Sequence, residues 1–323
     1  MFDSAQSFLH MLSLPQAECE VYCREKRLER YKKYGGRVRF LGLHTAAHRV
    51  LIPLLALDLR MGGHRIRVLR DSRKKTDRPI IFCPTHIGGV DIEMSFLAVR
   101  TPCWIVLGNP REVYKSLDGM LMQLNGWIPL DVHEKPDRIA AKAQMKALLE
   151  AGGNLLLFPE GTQNISPNAL VGHLYAGAVE LAITCGAEIV PIAIARDGDC
   201  YNFVIGENIC YDGCAYEDRF RLTDDLRDRL ATLKWEAIEH PPMLRRSEIT
   251  DKSYEEFVKR AITMNTEYSL TPEDVYSEQY HPKGITEPRY AFAHLDQLVP
   301  SMENAFLFDK RLSDNDLKGH NQI

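Results

Sequence analysis

Two short blocks of residues in this chain have types and spacing suited to catalysis. They are His86-Ile87-Gly88-Gly89-Val90-Asp91 and, about seventy residues on, Phe158-Pro159-Glu160-Gly161-Thr162. A histidine with an aspartate five positions later supplies a general base and the carboxylate that orients it, the pair needed to draw a proton from an acceptor hydroxyl. Asp91 would hold His86 in the tautomer that leaves one ring nitrogen free to accept that proton. Gly88 and Gly89 between them let the backbone bend tightly and approach a ligand. Glu-Gly-Thr after an apolar run adds a sharp loop with exposed backbone amides, suited to an anionic or polar head. Two roles are open to Glu160: hydrogen bonding to hydroxyls of an acceptor, or fixing its own loop through backbone amides. Gly161 permits a backbone conformation that a Cβ would penalise. Thr162 is either a donor to an acceptor oxygen or a turn residue. Arg111 is a guanidinium that can grip two phosphate oxygens, or else an exposed charge at a helix start.

These residues need a frame that places them together. Residues 79–83 are a short apolar run that predicts a buried strand. It ends at Pro84, so His86 falls on the loop after the strand, where open α/β sheets carry their functional groups. Further strands are expected at 102–107, 127–130, 154–158, 188–195 and 201–205. Between them come a helix capped by Asp137 and closed by Gly152-Gly153, and a second at 169–184. Such alternation predicts an α/β fold, a central sheet flanked by helices. It divides the chain into a basic amphipathic helical region at 1–75, a catalytic domain at 76–215 and a mostly helical C-terminal extension at 216–323, with helices at 223–239 and 253–264, the latter capped by Asp251.

The net charge of −4 hides an asymmetry. Residues 24–78 hold seventeen Lys or Arg against five Asp or Glu, which leaves the rest of the chain acidic. That basic segment suits an anionic lipid surface, or is a solvated helix face. Nucleic acid is a poor partner, because no reading motif accompanies the basic cluster. Residues 40–59 resemble a membrane span until His44, His48, Arg49, Pro53 and Asp58 are counted, since a span needs about 20 apolar residues. Leu43, Ala47, Val50 and Leu54, with Phe40 and Leu51 beside them, instead recur at helical spacing. The segment reads as a helix lying in the membrane interface or packed on the core. The eight cysteines form no Cys-x-x-Cys and no zinc spacing, which suits free thiols in a reducing compartment and a chain on the cytoplasmic side. No metal or redox cofactor motif is present, nor the Gly-x-Ser-x-Gly elbow of serine hydrolases.

The order and spacing of the blocks resemble the glycerolipid acyltransferase family, whose members acylate glycerol phosphate, lysophosphatidate and related acceptors. The resemblance covers residues 79–195 and rests on Thr85 to Asp91, on Gly126-Trp127-Ile128-Pro129-Leu130-Asp131 preceded by Arg111-Glu112-Val113-Tyr114-Lys115, on Phe158 to Thr162, and on Ile189-Val190-Pro191-Ile192-Ala193-Ile194. It implies that His86 and Asp91 are catalytic and that Arg111, Glu160, Gly161 and Thr162 bind the acceptor. It also implies direct attack on the thioester of acyl-CoA or acyl carrier protein, with no cofactor beyond that co-substrate, at a membrane surface. The favoured acceptor is a lysophospholipid, 1-acylglycerol-3-phosphate, with phosphatidate as product. Helices ahead of the His block dock many relatives on the bilayer. The chain departs from the pattern where the family has Asn and Ser in the first block (here Thr85 and Gly88) and cations at three places (here Val132, Gln163, and Ala176 with Glu180). Lys135 and Arg138 are nearby substitutes for the lost charge. An amine, a non-phosphorylated lipid acceptor, or a non-catalytic lipid-binding role are the alternatives.

Overall fold

The computed structural model describes residues 5–108, 113–240, 248–265 and 269–279. Seven strands form one sheet: β1 (Arg65–Asp71), β2 (Ile80–Pro84), β3 (Trp104–Gly108), β4 (Trp127–Leu130), β5 (Leu155–Leu156), β6 (Glu188–Asp197) and β7 (Cys200–Ile205). Their order is β1-β7-β6-β2-β5-β3-β4. From β6 to β4 all pairings are parallel, whereas β7 turns back antiparallel on β6 and β1 runs parallel to β7. The α/β class with helices flanking a central sheet holds.

β2 reads as an unbroken apolar run because both its faces are covered. Side chains alternate across the sheet. Phe82 joins a core with α1 (Ala5–Ser13), α2 (Gln16–Tyr34), α3 (Leu41–Met61) and α4 (Asp91–Val99). Ile81 and Cys83 join a second core with α6 (Lys135–Glu150), α7 (Gly177–Cys185) and α8 (Arg219–Glu239). A short helix, α5 (Leu117–Asn125), packs beside α3, and α9 (Asp251–Met264) meets α10 (Pro272–Ser277) near the end of the described chain.

Several boundaries differ from the sequence reading. The region at 1–75 is not all helix, because β1 lies in it and pairs along β7 from Arg65↔Cys200 to Asp71↔Ile205. Its Arg-Ile-Arg-Val-Leu-Arg-Asp sequence hides a strand among charges, as suits an edge strand whose exposed groups face water. The extension at 216–323 is not a separate layer at its start, since α8 packs along β6 and β7. Leu222, Leu226 and Leu230 of α8 are buried against the sheet. Residues 280–323 lie outside the described part.

Asp137 is no N-cap. It sits in the first turn of α6, where its carboxylate takes Arg27 and the Asp131 backbone N–H. The helix expected at 169–184 begins only at Gly177, because the backbone N–H of Gly172 is bonded to Glu160. α9 is capped by Thr250, in a reciprocal box with Ser253, rather than by Asp251.

Among the described residues no helix is long and apolar enough to cross a membrane. α3 is turned against ordinary amphipathic logic. It buries His48, whose Nδ1 lies 2.7 Å from Asn125 Oδ1, and leaves Leu43, Val50, Leu54 and Leu57 more than half exposed.

The α8 contact supplies a stability test. Leu230 is fully buried, so Leu230→Ala should lower the unfolding free energy by about 2–5 kcal/mol in equilibrium urea denaturation. A change of a few tenths would mean that α8 is not part of the cooperative core.

Candidate active site

The loop after β2 is tied to β6 by two bonds before its histidine is considered. Thr85, where the family pattern has Asn, donates its backbone N–H to Ile192 O at 2.9 Å, and its Oγ1 accepts the Ile194 N–H at 3.0 Å. His86 follows. Its N–H donates to Glu160 Oε1 at 2.8 Å, and its carbonyl accepts the Asn164 N–H at 2.8 Å. The imidazole packs on Phe158 with ring centroids 4.4 Å apart. The two sequence blocks therefore form one unit.

His86 Nδ1 lies 2.9 Å from Asp91 Oδ2. That oxygen also accepts the N–H groups of Ile87 at 2.6 Å and Gly88 at 2.9 Å. Asp91 is fully buried at the first position of α4, where the helix N-terminus favours a negative charge. A carboxylate only accepts, so Nδ1 carries the proton and Nε2 keeps its lone pair. Nε2 has no protein hydrogen bond among the described residues. Gly88 and Gly89 adopt φ of 85° and 66°, and the turn they make is what lets Asp91 reach back to residues 86–88. A Cβ at Gly89 would stand 2.7 Å from the Tyr201 hydroxyl, which accepts the Val90 N–H.

Of the two roles open to Glu160, the geometry supports fixing the loop. The residue is 4% exposed, and its oxygens accept the N–H groups of His86 (2.8 Å) and Gly172 (2.7 Å). Burial pushes its carboxyl above the usual range, opposed by those two N–H groups and by the charge of Lys234. Gly161 (φ 70°) and Thr162 are exposed beside it, on the open side of the loop. Arg111 lies outside the described residues. Val132 and Gln163 stand where the pattern has cations, and Arg138 is turned onto the Val132 carbonyl at 2.6 Å. Glu180 is taken up by Lys142, Tyr216 and Arg219. Arg196 stacks on Tyr201 next to the Gly88-Gly89 turn, with its guanidinium bonded to Gly198 O and Asp199.

Two contributors come from beyond the blocks. Lys234 is buried on α8 and donates from Nζ to the carbonyl of Ile194, whose N–H is held by Thr85. Burial lowers its ammonium to about 8, while Glu160 and Asp91 pull it the other way. A lysine falling at i+4 from Leu230 on an otherwise apolar stripe was the available signal. The second is the end of α9. Met264 O accepts the Gly89 N–H at 2.9 Å, and Asn265, 3% exposed, fills the space a Cβ at Gly88 would need. No pattern in the sequence announced that contact.

Glu160→Gln keeps the shape but turns an NH₂ toward one of two N–H donors, so it should destabilise the fold by about 1–3 kcal/mol in urea melts. Unchanged stability would mean that the carboxylate bridge is not formed. Lys234 gives a pH signature. The unfolded chain keeps the lysine proton to near 10.5 and the folded chain only to about 8, so between those values the unfolded state binds more protons and stability rises with pH. Wild type should therefore gain on Lys234→Met over that interval in parallel melts.

The family described as Acyltransferase matches residues 65–195. Over 136 residues the chain is 26% identical to a 1-acyl-sn-glycerol-3-phosphate acyltransferase of Chlamydomonas reinhardtii, covering 40% of this chain and 38% of that protein. The chain thus spans under two fifths of the length of the curated relative it matches. Among solved structures, the 1-acyl-sn-glycerophosphate (LPA) acyltransferase PlsC from Thermotoga maritima aligns over 75% of this chain and 90% of its own, with 14% identity and a TM-score of 0.45.

Proposed function

We propose that this chain, whose residues 65–195 belong to the acyltransferase family, transfers a fatty acyl group from a thioester donor to a hydroxyl of a glycerolipid acceptor at a membrane surface. The observation that carries the reading is the Nδ1 bond from His86 to Asp91, which leaves Nε2 as an unoccupied base at the end of a central strand. Nε2 takes the proton of the acceptor hydroxyl as its oxygen attacks the carbonyl carbon of acyl-CoA or acyl carrier protein. The tetrahedral oxyanion collapses with cleavage of the C–S bond, and the thiolate leaves with the proton from the imidazolium. Asp91 steadies the transient positive charge. No acyl-enzyme forms in this scheme. The preferred acceptor is 1-acylglycerol-3-phosphate, with phosphatidate as product. Arg111 and the exposed Gly161-Thr162 turn bind the acceptor, and Glu160 acts on it through the loop.

A second reading rests on the missing cations. With Val132 and Gln163 in their places and Glu180 engaged by Lys142 and Arg219, an amine or a lipid acceptor without a phosphate is the reading that fits the missing cations.

Membrane attachment is peripheral in this proposal and on the cytosolic side, where the eight unpaired cysteines stay reduced. Phe40, Leu43, Val50, Leu54 and Met61 form the docking face, backed by the basic residues of α2. Leu43→Asp/Leu54→Asp should release the protein from anionic vesicles in co-sedimentation, and added salt should weaken wild-type binding. Retention of the double variant on vesicles would rule out this face.

The reaction is tested with purified protein, labelled acyl-CoA or acyl carrier protein, and a panel of phosphorylated and neutral acceptors, with products identified by mass. His86→Ala should reduce turnover about 10²- to 10⁴-fold while the protein still folds. Wild-type turnover by the folded variant would overturn the mechanism. If the acceptor carries a phosphate, Arg111→Ala should raise its KM far more than that of the donor, and Gln163→Arg should lower it. Product from neutral acceptors alone would establish the second reading.

A further inference from the structure

At the other end of the sheet from His86, where β3 and β4 begin, the link from α2 to α3 bridges toward α6 and encloses a cavity of about 570 Å³. None of the residues assigned to acyl transfer lines it. Its walls are rich in donors and poor in acceptors. Arg30, Lys33, Arg37 and Arg39 contribute cationic side chains. Neither Arg30 nor Arg37 has a carboxylate partner among the described residues. The acid in the described wall, Asp137, is already saturated by Arg27 at 3.0 and 2.7 Å and by the Asp131 N–H at 2.7 Å.

A second observation points the same way. The indole N–H groups of Trp104 and Trp127, residues 7% and 5% exposed, and the Gln123 Nε2 amide are buried without any hydrogen-bond partner, and all three residues line this cavity. Orphaned buried donors are rare in folded proteins. The Trp104 indole edge lies against Gly126, but Trp127 and Gln123 stand in the wall beside the cationic side chains, a donor-rich lining that suits an occupant bringing oxygens and negative charge. The rim supplies the remaining clue. Phe40 and Leu43 belong both to the cavity and to the exposed apolar face of α3, so an anion seated here has an apolar surface running away from it.

We propose that this cavity is a phosphate-binding site for the headgroup of an anionic glycerophospholipid, whose acyl chains lie along Phe40 and Leu43. Guanidinium groups match phosphate oxygens in paired hydrogen bonds, and the apolar rim selects an amphiphile over a free anion. The site is separate from the acyl acceptor site and does not depend on the acyltransferase reading.

Its own tryptophans report on it. In a Trp235→Phe background, which removes the third and exposed indole, the remaining two both line the cavity. Fluorescence is titrated with dihexanoyl phosphatidylglycerol, with zwitterionic dihexanoyl phosphatidylcholine and with inorganic phosphate. The expected result is a saturable change with phosphatidylglycerol. Arg30→Gln/Arg37→Gln should weaken it by about tenfold or more, with circular dichroism unchanged. Trp127→Phe, which deletes one donor, should weaken it several-fold when read by calorimetry. The proposal is overturned if phosphatidylglycerol gives no saturable change, if the double variant binds as tightly as its parent, or if phosphatidylcholine binds equally well. Equal affinity for inorganic phosphate overturns the lipid assignment. Acyl-transfer rates, measured apart from this titration, keep a failure here distinct from a failure of the catalytic reading.

Discussion

One buried carboxylate joins the two halves of the site. Glu160 accepts a backbone N–H from His86 on one side and from Gly172 on the other, so the loop after β2 and the loop after β5 have a common fastening. Asn164 closes the clasp from the opposite side by donating to the His86 carbonyl. An ionised group so deeply buried is costly unless its oxygens are filled by donors and a cation lies near. Both conditions hold, and the cation is Lys234. Without this fastening the loop after β2 would lose its direct side-chain tie to the loop after β5, and the His86 backbone would lose one of its two bonds to the second block.

The arrangement around Asp91 follows the same economy of donors and acceptors. One oxygen takes the histidine ring and two successive backbone amides, which requires a chain reversal that only the paired glycines allow at their positive φ values. α9 then closes over that reversal through Met264 and Asn265. Residues after the family match thus reach the His86 loop, α9 directly and α8 through Lys234, which bonds the β6 residue that Thr85 also holds. Part of what keeps the candidate pair His86 and Asp91 in place therefore comes from stretches of chain far from both sequence blocks.

That division explains what the sequence disclosed. Local signals were sufficient for β2, β4 and β6, where apolar runs bounded by Pro and Gly leave little choice, and for the nearness of His86 to Asp91. Glu160 could be located, but the resemblance gave it to acceptor binding and its bonds to the His86 and Gly172 amides went unforeseen, because hydrogen bonding to a distant backbone amide leaves no trace in residue type. β1 was missed because its charges face water along an edge. Lys234 and Asn265 were missed because each matters only through a contact across the fold. The histidine side of α3 was placed off the apolar stripe correctly, but only the packing reveals that the stripe is the side turned outward and His48 the side turned in.

The position of β1 has a bearing on how the chain acquires its shape. Arg65 of β1 pairs with Cys200 of β7, so the earliest strand to leave the ribosome finds its neighbour only after nearly every other strand has been made. Contacts of such long sequence separation form slowly. Until β7 emerges, α1, α2 and α3 have no completed sheet to rest on, and the inward side of α3 with His48 and Leu59 lies open as well as the apolar stripe that faces outward even in the finished fold. Synthesis close to a bilayer would shelter that surface during the wait, whereas synthesis in free solution leaves it open to self-association. The order of strands therefore couples the timing of folding to the place where the chain is made.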